Sequence, residues 1–164
     1  MQLNESIPIV LPGDPAVTGI NVPQYQNSWE MSAVLPDGNT VHRGFWNDTM
    51  TTTRLNEVEI LRREQRVLYP DAEVVQLDEV DRKTLTPIHI RINKVGEEPH
   101  TDIFYEGNKV YGKKVFRIGG LDEVKQISMP FSYTLPHPVF DWHLWGVLIS
   151  GFPLTKITRQ DSCP

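Results

Sequence analysis

Residues 51–70 read TTTRLNEVEILRREQRVLYP. Within this stretch Leu55, Val58, Leu61 and Leu68 recur at spacings near 3.6, the period of one helical face. Thr51, Thr52 and Thr53 offer side-chain oxygens to the free amides of a first turn, and Arg62, Arg63 and Arg66 would complement the negative end of a helix dipole. Pro70 stops the run. The pattern predicts a helix over Thr53–Tyr69.

The flanks read as strands. Trp29, Met31, Ala33 and Leu35 alternate with Ser28, Glu30 and Ser32, the period of a half-buried strand, and Pro36-Asp37-Gly38-Asn39 supplies a turn that returns Val41, Arg43 and Phe45 as its hairpin partner. After the predicted helix, Glu73–Leu77 forms a short strand, so that strand, helix and strand would make a right-handed βαβ crossover. Ile88, Ile90 and Ile92 alternate with His89, Arg91 and Asn93, and Glu106-Gly107-Asn108 separates Thr101–Tyr105 from Lys109–Ile118 as a second hairpin. A helical turn is expected over Leu121–Ile127, then strands over Phe131–Leu135 and Trp142–Ser150. The fold class that results is α+β: a mostly antiparallel twisted sheet of about six to eight strands with one main helix packed on one face.

Pro8, Pro12, Pro15 and Pro23 forbid a regular helix near the start, so residues 1–27 are expected to form a Pro-rich extended arm and residues 28–164 a single domain. Ile7, Ile9, Val10 and Leu11 give the arm something to bury, against its own domain or against a second copy in a homo-oligomer.

A chain of 164 residues with 39% hydrophobic and 23% charged residues has the composition of an ordinary globular domain, and it should bury roughly 70% of its unfolded surface without a metal or disulfide staple. Disorder, collagen repeats and coiled coil are excluded. The lone Cys163 allows no intrachain disulfide, the first residues lack a basic start and a long apolar run, and Val139–Leu154 is interrupted by Asp141 and His143 and falls short of the ~20 residues of a spanning helix. A cytoplasmic protein with no membrane span is expected. Net charge is −5, divided as −7 over residues 1–82 and +2 over residues 83–164.

Catalytic templates fail one by one. There is no GxSxG, HExxH, CxxC or GxxxxGK[ST], and Cys163 lies where chain ends fray. His89 precedes Ile90-Arg91 and His100 precedes Thr101-Asp102, so neither repeats the His-x-Thr strands of phosphodiester-cleaving enzymes. What remains for an enzyme, a small hydrolase or a metal-dependent one, is Asp141 and His143 on one strand face roughly 7 Å apart, with His137 nearby. No metal site and no cofactor are assigned.

The unusual segment is Pro136–Ile149, which holds Trp142 and Trp145 among many apolar residues. Tryptophan is enriched where proteins bind one another. An acidic group comprising Asp71, Glu73, Asp78, Glu79 and Asp81 could cover a basic site on an enzyme. The reading is a non-catalytic protein-interaction protein, an assembly subunit or an inhibitor, that binds another protein through Trp142, Trp145, Asp78, Glu79 and Asp81. Lys109, Lys113, Lys114 and Arg117 form a sparse cationic cluster, so nucleic acid is not the expected partner, and weak nucleic-acid binding through Lys109–Arg117 is kept as a second alternative after the enzyme.

Overall fold

The computed structural model describes residues 11–15, 17–118, 125–140 and 143. Eight strands follow one another: β1 (Tyr25–Val34), β2 (Thr40–Leu55), β3 (Val58–Leu68), β4 (Glu73–Asp81), β5 (Pro87–Lys94), β6 (Thr101–Glu106), β7 (Lys109–Ile118) and β8 (Lys125–Thr134). Each pairs antiparallel with the next, in the order β1-β2-β3-β4-β5-β6-β7-β8. The architecture is an antiparallel meander, and the α+β expectation is overturned.

The correction turns on the opening segment. Thr51–Leu55 ends β2 and Val58–Leu68 is β3, joined by a loop of only Asn56 and Glu57 with φ of 47° and 69°. Two consecutive positive φ values make a type I′ turn, whose twist suits a tight hairpin. The three threonines that resembled helix caps are β-branched residues in a strand. The spacing of Leu55, Val58 and Leu61 spans the turn, so it never described one helical face. Arg62 and Arg63 point to opposite faces, as strand neighbours must. With β3 and β4 antiparallel through a short turn, no βαβ crossover exists. Ile127, expected in a helical turn, lies in β8.

Two rows of register partners define the faces. The first face carries Tyr25, Met50, Arg63, Asp78, Ile90, Ile103, Gly112 and Phe131 across the eight strands; the second carries Thr51, Arg62, Glu79, His89, Phe104, Tyr111 and Ser132 from β2 to β8. The core lies on the first face, where Met50, Leu61, Val80, Ile90, Ile103 and Tyr105 are buried. Each fully buried Leu or Ile contributes roughly 1.5–3 kcal/mol. The second face is enclosed over β3 and β4, where Ile60 and Glu79 are buried.

The N-terminal segment closes one end of this core on its own chain. Val17 and Val22 are buried with Leu85, Gly13 N–H donates to the Thr84 carbonyl, and Thr18 Oγ1 donates to the Lys83 carbonyl. A Cβ at Gly19 would lie 2.6 Å from the Arg82 carbonyl oxygen and 2.7 Å from Leu61 Cδ1, so the segment and the β4–β5 loop are in close contact. Ile7, Ile9 and Val10 lie outside the described residues, as does the strand expected over Trp142–Ser150 apart from His143.

Candidate functional site

At the end where β3 stops, β1 and β2 continue. The β2–β3 pairing ends at Phe45 opposite Leu68, whereas β2 pairs with β1 as far as Thr40 opposite Val34. Residues 32–42 therefore project as a two-stranded arm. Its tip is organised locally: Leu35 N–H donates to the Asn39 carbonyl, Asn39 N–H donates to Asp37 Oδ1, and Asn39 Nδ2 donates to Asp37 Oδ2. The Asn39 amide bonds hold the Asp37 carboxyl below its usual range. At the arm's base the register shifts between Met31 and Ser32, opposite Gly44. Gly44 has φ of 135°, and a Cβ there would lie 1.8 Å from the Leu68 carbonyl oxygen, so glycine is required where the arm leaves the sheet.

Aromatic side chains gather at that base. Trp29 and Trp46 face each other on the first face with centroids 5.3 Å apart, and a cavity of about 200 Å³ adjoins Trp46, lined by Val67, Val74 and Ile92 among others. On the other face Phe45 approaches His42 at 5.1 Å, and His42 Nδ1 lies 2.9 Å from Glu30 Oε1. Trp29 is 44% exposed, Phe45 46% and Val34 74%. A two-stranded ribbon of this kind buries little and is marginal by itself, yet it carries large apolar groups into solvent.

Between arm and core lies a buried ion pair on the first face. Arg63 Nε donates to Asp48 Oδ1 at 3.0 Å and Nη2 donates to Oδ2 at 2.5 Å, with both side chains largely out of water. Burial alone would lower the Arg63 pKa, but its bonds to Asp48 and the charge of Asp78 hold it raised. Burial also raises the Tyr25 phenol, against the opposing pull of Arg63.

The second face carries a polar and aromatic row. Arg62 Nε donates to Glu79 Oε1 at 2.8 Å, and His89 lies between two carboxylates, with Nδ1 3.3 Å from Glu79 Oε2 and Nε2 2.7 Å from Asp102 Oδ1. Both ring nitrogens face acceptors, which favours the doubly protonated ring. Burial opposes that charge, but the bonds to Glu79 and Asp102 outweigh it and raise the His89 pKa; the bond from His89, with Arg62 behind it, lowers that of Glu79 despite burial. Phe104 stacks on His89 at 4.4 Å, and Tyr111 stacks on Phe104 at 5.6 Å. Tyr111 donates to Glu106 Oε1, which raises its own pKa, and Lys109 Nζ lies 4.9 Å from its ring centroid. An imidazolium clamped between two carboxylates has no lone pair for general-base work. The row pins strands β3 to β6 together.

The residues singled out from sequence are scattered. Asp78 is 1% exposed and on the first face, where Gln76 Nε2 donates to it; Glu79 is 5% exposed and on the second face. Asp81 accepts from Lys83 N–H and Thr84 N–H and so shapes the β4–β5 turn. The acidic group is therefore strand and turn structure, divided between two faces. His137 is exposed and its Nδ1–H donates to the Pro138 carbonyl, and His143 is half-buried. Asp141, Trp142, Trp145 and Cys163 lie outside the described residues. Among the described residues no three His, Cys, Asp or Glu side chains converge on a metal position, and no helix is long and apolar enough to cross a membrane.

Sequence reasoning had treated Trp29 and Phe45 only as hairpin positions and missed that β3 ends at Leu68. It also set aside His89, whose partners Glu79 and Asp102 lie 10 and 13 residues away and meet it only through strand register. Comparison with protein-family models, with characterised proteins and with solved structures finds no match to this chain.

Proposed function

We propose that this is a non-catalytic protein-interaction protein of the cytoplasm, an assembly subunit or an inhibitor, that grips its partner with the β1–β2 arm. The observation that carries the reading is the arm itself: a ribbon projecting beyond β3 with Trp29, Phe45 and Val34 exposed around it. Large apolar side chains held in solvent by a defined backbone are the usual anchors of a protein interface. The outer edge of β1 is unpaired among the described residues and contains neither Pro nor Lys, with Glu30 as its sole charge, so it can accept an added strand. The opposite edge strand, β8, is interrupted by Pro130. A single cysteine, Cys163, suits a reducing compartment.

The test is affinity purification of the tagged chain from its source cells, with sizing of what co-elutes, beside a Trp29→Ser, Phe45→Ser double variant. Both positions lie at the base of the arm and are nearly half exposed, so the variant should remain folded, with its melting temperature lowered only by the loss of the Trp29–Trp46 and Phe45–His42 contacts. A stoichiometric partner that the variant loses supports the reading. A partner retained by the folded variant, or a wild-type chain that elutes alone, contradicts it.

A further inference from the structure

We infer that the cavity beside Trp46 on the first face is a binding site for a neutral hexose unit, with the apolar side of the sugar ring against the indole and its hydroxyls bridging the amides of Gln65 and Gln76. This is a further function, and its failure would leave the partner reading above standing.

The cavity, of about 200 Å³, is lined by Trp46, Gln65, Val67, Val74, Gln76 and Ile92. Strand register brings them together: Trp46, Val67 and Val74 are partners in one row, and Gln65, Gln76 and Ile92 are partners in the next row of the same face. Trp29 approaches Trp46 from the β1 side, whereas the other lining residues lie on β3 to β5, so the indole stands between the arm base and the cavity. Pockets for drug-sized ligands hold about 300–1,000 Å³, so this one takes a single ring.

Hydrogen-bonding capacity sorts the occupant. The Gln65 side-chain oxygen accepts from Trp46 Nε1 and from Arg63 Nη2, both at 3.2 Å, which leaves its amide N–H groups without a partner among the described residues. Gln76 is the converse: its Nε2 donates to the two Asp78 carboxylate oxygens at 3.1 and 2.9 Å, and its carbonyl is the open group. Gln65 and Gln76 are direct register partners, so an open donor and an open acceptor stand side by side. An apolar occupant would strip water from both and replace neither bond. A hydroxyl donates and accepts at once, so adjacent hydroxyls on one ring can meet the pair.

The lining carries no charge. The ions beside it are engaged within the protein: Asp48 by Arg63, Asp78 by Gln76, and Lys94, the register partner of Val74, by Glu97. An ionic ligand would lose its hydration here and find no open counter-charge, so a neutral one is favoured. Trp46, Val67, Val74 and Ile92 supply the apolar surface, and the negative face of an indole suits the weakly positive C–H groups of a pyranose.

The experiment is saturation-transfer NMR, with titration followed by tryptophan fluorescence, of the full chain with D-glucose, D-galactose and D-mannose, and with maltose and lactose. At least one sugar is expected to saturate with a Kd on the order of 1 mM, the strength that about a dozen non-hydrogen atoms support. A disaccharide that binds more tightly than its hexoses identifies a glycan as the source, and equal binding identifies a free sugar. Gln65→Met, which removes the amide at similar length, should weaken binding about five-fold or more. Val74→Phe, which fills the cavity, should abolish it, and Phe45→Ser on the opposite face should leave it unchanged. Melting curves show which variants are folded. Absence of saturable binding by all five sugars overturns the proposal. So does binding that either folded cavity variant retains at full strength, or an equal response to uridine or N-methylacetamide, which marks a pocket for a planar amide.

Discussion

Replacing Glu57 by glycine should stabilise the protein. Glu57 is exposed at the second position of the β2–β3 turn with φ of 69°, and it makes no hydrogen bond or ion pair among those of the described residues. Holding a side chain in the left-handed region costs roughly 1–2 kcal/mol, which glycine avoids. Glycine in turn loses about 0.5–1 kcal/mol more backbone entropy on folding. The difference is a net gain of about 0–1.5 kcal/mol for Glu57→Gly. In a helix over Thr53–Tyr69 the same residue would lie in the first turns, where glycine costs up to about 1 kcal/mol. The two architectures therefore predict opposite signs. Urea unfolding followed by tryptophan fluorescence reads the sign directly, from the midpoint at constant slope. A midpoint that falls by the equivalent of about 1 kcal/mol would refute the hairpin and everything placed by its register.

Arg63→Met should cost about 3–5 kcal/mol, because it strands the buried Asp48 carboxylate on the same face as Asp78; adding Asp48→Leu should restore much of the loss, and a single-variant cost under about 1 kcal/mol in urea unfolding would show that the pair is not buried as described. The His89 network predicts a pH dependence of stability. The raised His89 pKa gives a contribution fully present below the ordinary value of 6.5 and lost as pH rises through the folded value, while the lowered Glu79 pKa gives one present above the ordinary 4.5 and lost as pH falls. Thermal stability should thus decline on the alkaline side of about pH 6.5 in the wild type, and the decline should be shallower in His89→Gln; equal slopes would exclude the role given to His89.

Strand periodicity made much of the meander legible. Ser28–Leu35 with its Pro36-Asp37-Gly38-Asn39 turn, and Lys109–Ile118 behind Glu106-Gly107-Asn108, announce themselves through alternation and turn chemistry, and both hairpins are present. The region from Thr51 to Tyr69 misled because a two-residue turn lacking glycine leaves little trace. Asn56 tolerates positive φ, but Glu57 does not signal it, and apolar residues on either side of the turn fell by coincidence at helical spacing. The run of threonines before it was the available clue, since β-branched residues favour a strand. The site was harder still. Exposure of Trp29 and Phe45 depends on where the neighbouring strand stops, and the alignment of Arg62, Glu79, His89, Phe104 and Tyr111 depends on the register of four hairpins. Neither quantity is local to the residues concerned.

The most direct test of the account is site-specific photo-crosslinking in the source cells, with a benzophenone side chain placed at Phe45 on the arm base and, as control, at the exposed Val95 in the β5–β6 connection. An arm that grips a protein partner predicts one discrete adduct at position 45 and none at position 95. An adduct at 95 alone, or no adduct at 45, would contradict it.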